Sequence, residues 1–206
     1  MFVDLLFPAR GDPVPVDHAY PLYAALSRAV PAFHDPASAT RFAPLTGAAG
    51  EPGRLRLTER SHLRVRLPAD AIRTVLPLAG KALDVGGAAV RLGPPSVFPL
   101  KPAAALGSHL VTFKHGEEPA AFLTTAKAKL AELGVTGELS VLAAEGGPRA
   151  GEPRRRVLRI GDATIVGYAV VVAGLDADGS VLLQERGLGG RTRMGCGFFL
   201  PALEDE

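Results

Sequence analysis

The side chains able to carry acid–base chemistry are the five histidines, His18, His34, His62, His109 and His115. Imidazole has an ordinary pKa of about 6.5, so it can take or give a proton near neutrality. His18 and His34 bracket a stretch that also holds Tyr20, Tyr23 and Ser27. Neighbours on one helical face stand three or four residues apart, so Tyr23 and Ser27 would share a face and could support one site. His62 alternates with Arg60 and Arg64, which puts all three on the polar side of a strand, as an anion-binding surface or a merely solvated one. His115 falls in a loop and is expected to be inert. For every histidine a surface or helix-cap role is the plain alternative.

A second group is the run Gly187-Leu188-Gly189-Gly190-Arg191-Thr192-Arg193-Met194-Gly195-Cys196-Gly197. Glycines let a backbone come close to a phosphate and line up N–H donors, and arginines add bidentate contacts to its oxygens. The run is not a nucleotide-triphosphate loop, because no Lys-Ser or Lys-Thr follows the glycines. Nor is it a dinucleotide fingerprint, since a helical segment precedes it and a strand follows, the reverse of that motif's context. A plain glycine-rich turn remains the alternative.

No metal centre is expected. The carboxylates are scattered, and no His-x-x-x-His pair occurs at helical spacing. The single cysteine, Cys196, excludes an intramolecular disulfide; between two glycines it reads as a small packed residue and not a nucleophile.

These residues must be positioned by the elements around them. Phe2–Phe7 reads as a strand. Leu22, Leu26 and Val30 recur at helical spacing behind a candidate cap, Asp17, and Pro31 closes the helix. Arg54–Leu57 and His62–Leu67 alternate apolar and cationic residues as half-buried strands do. A short helix over Ala69–Leu76 and a strand over Ala88–Leu92 complete a β-α-β-β-α-β order. Gly93 to Pro102 is Pro-rich and reads as a linker. The order then repeats: strand Leu110–Lys114, helix Pro119–Leu133 stopped by Gly134, and strands Leu139–Leu142, Arg156–Ile160 and Ile165–Val172. A short helix within Leu175–Gly187 and a strand Gly197–Leu200 follow, and Gly146–Pro153 reads as a hairpin tip. The expectation is α+β, two tandem ferredoxin-like domains at residues 1–95 and 103–206.

Hydrophobic residues make up 47% of the 206, enough for two cores. No apolar run approaches the roughly 18 residues of a membrane span. The N-terminus has no basic segment and carries Asp4 inside its apolar stretch, so no signal peptide is expected and the chain reads as cytoplasmic. Net charge is only +2, but arginines bunch at 54–66, 154–156 and 186–193, while acids collect elsewhere, including the Glu204–Glu206 tail.

Gly187-Leu188-Gly189, five residues containing Arg191 and Arg193, then Gly195-Cys196-Gly197-Phe198-Phe199, resembles the C-terminal signature of the CRISPR-associated repeat endoribonucleases of the RAMP superfamily. Asp17-His18-Ala19-Tyr20-Pro21-Leu22-Tyr23-Ala24-Ala25-Leu26-Ser27-Arg28, with Pro31 and His34 beyond it, is similar to the branch first named for the MYXAN subtype. So is Ile165-Val166-Gly167-Tyr168. The resemblance spans nearly the whole chain and itself implies tandem ferredoxin-like (RRM-like) folds.

It further implies a metal-independent, cofactor-free endoribonuclease that cuts CRISPR repeat RNA. The RNA's own 2′-hydroxyl would attack the adjacent phosphate, leaving a 2′,3′-cyclic phosphate and a 5′-hydroxyl. Such proteins place a histidine in or just after the first helix, so the resemblance points to His34 as general base, with His18 second and Tyr23 and Ser27 in support. It makes Gly187, Gly189, Gly190, Arg191, Arg193, Gly195 and Gly197 the RNA-binding set, to which the cationic strand face would add Arg64 and His62; Lys114, which no motif of the resemblance fixes, is a further candidate phosphate ligand. The partner would be a repeat stem-loop, read through backbone and shape, with other effector-complex subunits as further partners. Aromatics are 6% with no Trp, against a general base-stacking reader. Two other readings stay open: an inactive guide-RNA-binding subunit, and an unrelated ferredoxin-like protein holding a small anion.

Overall fold

The structure, a computed structural model, describes residues 1–202, so the acidic tail lies outside the described residues. The chain forms two compact units: Met1–Leu100 with Arg193–Gly195, and Lys101–Thr192 with the chain from Cys196 onward.

In the first unit, β1 (Phe2–Gly11) leads through β2 (Val14–Pro15) to α1 (Ala19–Ala29). Then come β3 (Arg41–Ala43), β4 (Ala48–Ala49), β5 (Arg54–Arg56) and β6 (His62–Pro68). A one-turn α2 (Ile72–Val75) between two 3-10 turns precedes β7 (Ala82–Val85), β8 (Ala88–Leu92) and β9 (Ser96–Pro99). The main sheet runs β3-β6-β1-β8-β7, with β9 also on β1, and every pairing is antiparallel. Strand order 2-3-1-4 over β3, β6, β1 and β8 is that of a ferredoxin-like unit.

Two sequence expectations need correcting. Arg54–Arg56 is not one of the four main strands; it pairs with β2 and β4 in a separate small sheet, and β3 takes the place expected for it. β3 is only three residues long, too short for an alternation to show. The linker read over Gly93–Pro102 contains β9, whose four residues are exposed on the sheet edge, where a proline does no harm.

The core follows from strand alternation. Val3, Leu5, Phe7 and Ala9 of β1 and Leu63, Val65 and Leu67 of β6 are buried in one cluster with Leu22, Ala25 and Leu26 of α1. Burying a side chain of this kind contributes about 1.5–3 kcal/mol, which fixes α1 on the sheet. The helix starts one residue later than expected. His18 is its N-cap, no side chain caps it, and Asp17 lies outside.

The second unit contains β10 (Ala105–Val111), α3 (Pro119–Glu132), β11 (Glu138–Val141), β12 (Arg155–Ile160), β13 (Ala163–Ala173), α4 (Ala177–Arg186) and β14 (Leu200–Pro201). Its sheet runs β11-β13-β10-β14, again 2-3-1-4, with β12 as an added partner of β13. The uniformly apolar β13 is central, as its composition implies. Gly167 sits beside the irregularity in the β10–β13 ladder, where a Cβ would lie 2.1 Å from the Val111 carbonyl oxygen. Tyr168 is buried with Phe122, ring centroids 4.8 Å apart, and its hydroxyl donates to the Glu117 carbonyl. Asp176 caps α4 by accepting from the Gly179 N–H at 2.7 Å.

Candidate active site

α1 ends at Ala29 because Pro31 follows, and the chain turns through a 3-10 segment, Pro31–Phe33. Phe33 is buried and meets Phe42 of β3 edge to face, ring centroids 6.2 Å apart. That anchor leaves His34, the next residue, exposed at the turn's end. Its N–H donates to the Pro31 carbonyl at 2.8 Å. Its Nδ1 lies 3.3 Å from the Tyr23 hydroxyl, which reaches across from α1. Among the described residues nothing hydrogen-bonds its Nε2.

Arg193 is the third group at this turn. Its Nη1 donates to the His34 carbonyl oxygen at 2.9 Å. Ser27 lies on α1 one turn past Tyr23; its hydroxyl is buried and without a hydrogen-bond partner among the described residues. The structure thus joins His34, Tyr23 and Arg193 by hydrogen bonds and does not join Ser27 to them.

His18 is placed quite differently. It is buried, and both ring nitrogens face backbone: Nδ1 donates to the Pro15 carbonyl at 2.8 Å, while the Leu45 N–H donates to Nε2 at 2.9 Å. This pairing selects the neutral ring with its proton on Nδ1. Burial holds the His18 pKa below its usual value, outweighing the opposing backbone carbonyls of Pro15 and Val16 and the nearby Asp17 carboxylate.

His62 is half-buried at the start of β6. Its Nδ1 lies 3.1 Å from the Arg60 carbonyl and 3.2 Å from Thr46 Oγ1. Arg64 is tied to Asp4, Nη1 to Oδ2 at 2.8 Å. Asp4 also takes a two-point contact from Arg66, Nε at 2.7 Å and Nη2 at 2.9 Å. Arg66 is 1% exposed and Asp4 3%, so these are buried charges on the sheet face opposite α1. Lys114 lies in an exposed turn past the end of β10, not on the strand expected to carry it.

In the second unit the glycines serve the chain's own packing. α4 stops at Gly187, which has φ 68°. Gly189, at φ 88°, would put a Cβ 2.6 Å from the Thr112 carbonyl oxygen; Gly197, at φ 60°, would put one 2.0 Å from that of Leu188. The Gly190 N–H donates to the Thr112 carbonyl at 2.8 Å, the Gly197 N–H to that of Leu110 at 2.7 Å. These donors are therefore spent on the protein and not lined up for an anion. Arg191 differs. It is exposed, holds a left-handed φ of 56°, and its guanidinium makes no hydrogen bond or ion pair among the described residues.

Sequence reasoning missed the Arg193–His34 link and the Asp4–Arg64–Arg66 cluster. The second had a signal: a lone aspartate in an apolar strand, and arginines two apart in another. Among the described residues no three or more His, Cys, Asp or Glu group to hold a metal, and no helix is long and apolar enough to cross a membrane.

Comparison with known proteins gives the family and the fold. The Cas6 (Cas6 Crispr) family model matches residues 3–204. A protein of Myxococcus xanthus (strain DK1622), the CRISPR-associated endonuclease Cas6, is 43% identical over 201 residues, covering 98% of this chain and 82% of that one. A structure described as a Cas6-related gene from Pyrococcus furiosus superposes with a TM-score of 0.69 at 13% identity, covering 100% of this chain and 99% of the other. One described as an RAMP protein binding different RNA substrates has a TM-score of 0.67 at 14% identity, covering 97% and 98%. At such identities the structures speak for the fold, which is that of tandem ferredoxin-like domains. The chain belongs to the Cas6 family and is an endonuclease.

Proposed function

We propose that the chain cleaves CRISPR repeat RNA by 2′-hydroxyl attack, without a metal ion, with His34 as the general base. The observation that carries this reading is the Tyr23–His34 pair at 3.3 Å with the far ring nitrogen exposed. With the proton on Nδ1, that nitrogen donates to the Tyr23 oxygen and Nε2 keeps its lone pair for the 2′-hydroxyl. The 2′-oxygen attacks phosphorus, the bond to the 5′-oxygen breaks, and the products are a 2′,3′-cyclic phosphate and a 5′-hydroxyl. The proton that His34 removes is matched by the one the 5′-oxygen gains.

His18, with both nitrogens committed to backbone, serves the site by fixing the start of α1 against Leu45. Of the sequence-predicted RNA contacts, Arg191 is the phosphate ligand we favour, because its guanidinium is exposed and unpaired. RNA as ligand is supported by the family and by the fold shared with a protein described as binding different RNA substrates. Arg64 is less suited, since Asp4 already holds it.

The test is to incubate the protein with its cognate labelled repeat in EDTA, beside a repeat with a 2′-deoxy at the scissile nucleotide. Single-site cutting that survives EDTA and disappears with the deoxy substitution is the expected result. Cutting of the deoxy substrate would remove the 2′-hydroxyl mechanism. Tight binding without cutting would leave an RNA-holding subunit.

A further inference from the structure

Arg193 lies in the glycine-rich run, where an arginine reads most simply as a phosphate ligand. Its guanidinium instead meets the protein, Nη1 donating to the His34 carbonyl at 2.9 Å. His34 ends a 3-10 turn of three residues, Pro31–Phe33, which its N–H closes and its carbonyl leaves, and the turn is too short to hold an exposed side chain in place by its own hydrogen bonds. Carbonyls at the end of a helical turn lack intrahelical partners, and a cation is a favourable one.

The stretch Arg193–Gly195 also passes close to the aromatic ring behind that turn. Gly195 has φ 82°, and a Cβ there would lie 3.1 Å from Cδ of Pro44 and 3.5 Å from Cε2 of Phe42. Phe42 is the ring that packs on Phe33, immediately before His34. Gly195 thus passes close to Phe42, whose ring packs on Phe33, while Arg193 holds the carbonyl of His34. The segment grips both the turn that presents the imidazole and the aromatic ring behind it.

We infer that Arg193 is a positioning residue for His34, fixing the turn so that the imidazole keeps its contact with Tyr23 and its outward nitrogen. This rests on reading His34 as the base. It gives the glycine at 195 a reason as well, since a side chain there would push on Pro44 and Phe42.

Single-turnover cleavage at saturating protein, together with Kd and its salt dependence, separates positioning from phosphate binding. In Arg193→Ala the rate should fall about ten- to a hundredfold, because small misplacement of a reacting group costs that much, while Kd and its salt slope stay the same. Arg193→Lys, which keeps a donor near the carbonyl, should recover part of the rate. A salt slope reduced by about one with an unchanged saturating rate would make Arg193 a phosphate ligand and overturn the inference. NMR of the His34 imidazole supplies a reading that needs no RNA. One sharp set of ring signals in the wild type should broaden or average in Arg193→Ala, and unchanged signals would overturn the inference. If the wild type failed to cut, or His34→Ala cut normally, the proposed function would fall, whereas the NMR result would still judge whether Arg193 holds His34.

Discussion

The Tyr23 hydroxyl lies 3.3 Å from Nδ1 of His34, eleven residues further along, and joins the middle of α1 to the turn that follows it. A hydrogen bond at one imidazole nitrogen decides what the other can do. Here the engaged nitrogen faces the protein and the other is open, so a single phenol orients the ring, and when its oxygen accepts from Nδ1–H the outer nitrogen is left with its lone pair.

Removing the imidazole should therefore remove the chemistry and leave binding intact. In His34→Ala the single-turnover rate is expected to drop by about 10²–10⁴, the usual span for a general base, with Kd for the repeat unchanged. In Tyr23→Phe the ring survives but loses its partner. A hydrogen bond contributes about 1 kcal/mol, so a loss of about fivefold is expected. Equal rates for His34→Ala and wild type would remove His34 from the mechanism.

His18 should reveal itself in stability and its pH dependence. Its folded-state pKa is depressed by burial, so the unfolded chain binds the proton first as pH falls. The stability it contributes is complete above its unfolded pKa of about 6.5 and is lost as pH falls from there through the lower folded value. A melting series from about pH 7.5 down to about 5 should show this slope in wild type and a flatter one in His18→Gln. His18→Ala leaves the Leu45 N–H and the Pro15 carbonyl without their partner, at a cost of about 1–3 kcal/mol each if no water replaces it. A slope equal in wild type and His18→Gln would mean that His18 is not the buried neutral group described.

The ferredoxin-like units were legible where the chain shows periodicity. β1, β6, α1, α3 and β13 carry strong apolar patterns, and their residues make the two cores. β3 and β14 were not legible at their true positions because strands of three and two residues carry no period. The fourth strand of the first unit was assigned correctly, but its hairpin partner β7 was missed. Of the site, the resemblance pointed to His34, His18, Tyr23 and Ser27 as one group, and only contacts far apart in sequence separate them. Leu45 commits His18 across 27 residues, and Arg193 reaches His34 across 159. No local pattern encodes such distances.

The Asp4 cluster should behave as a buried charge network. Two guanidinium groups share one carboxylate, and Arg66 is 1% exposed. Removing one partner of a buried pair leaves an uncompensated charge and costs about 3–5 kcal/mol. Asp4→Asn is expected to lower stability by about that amount in urea unfolding. Arg64→Ala should cost less, because its side chain is 24% exposed and Arg66 still satisfies Asp4. Equal losses for the two variants would place the energy in the strand pairing and not in the charges.

Arg191 should show a conflict between stability and binding. It is a non-glycine residue at φ 56°, while glycine accepts that conformation without a Cβ clash. A left-handed backbone costs an L-residue about 1–2 kcal/mol, so Arg191→Gly should be more stable than Arg191→Ala by about 1 kcal/mol, less the extra freedom glycine gives the unfolded chain. Both variants remove the guanidinium and should lose RNA affinity alike, with the salt slope of binding reduced by about one. Their saturating cleavage rates should match wild type. Stability that rises with glycine while affinity falls equally in both would mean that the strain is carried for the sake of the exposed cation. An unchanged salt slope would mean that Arg191 does not meet phosphate, and the left-handed residue would then need a structural reason within the turn.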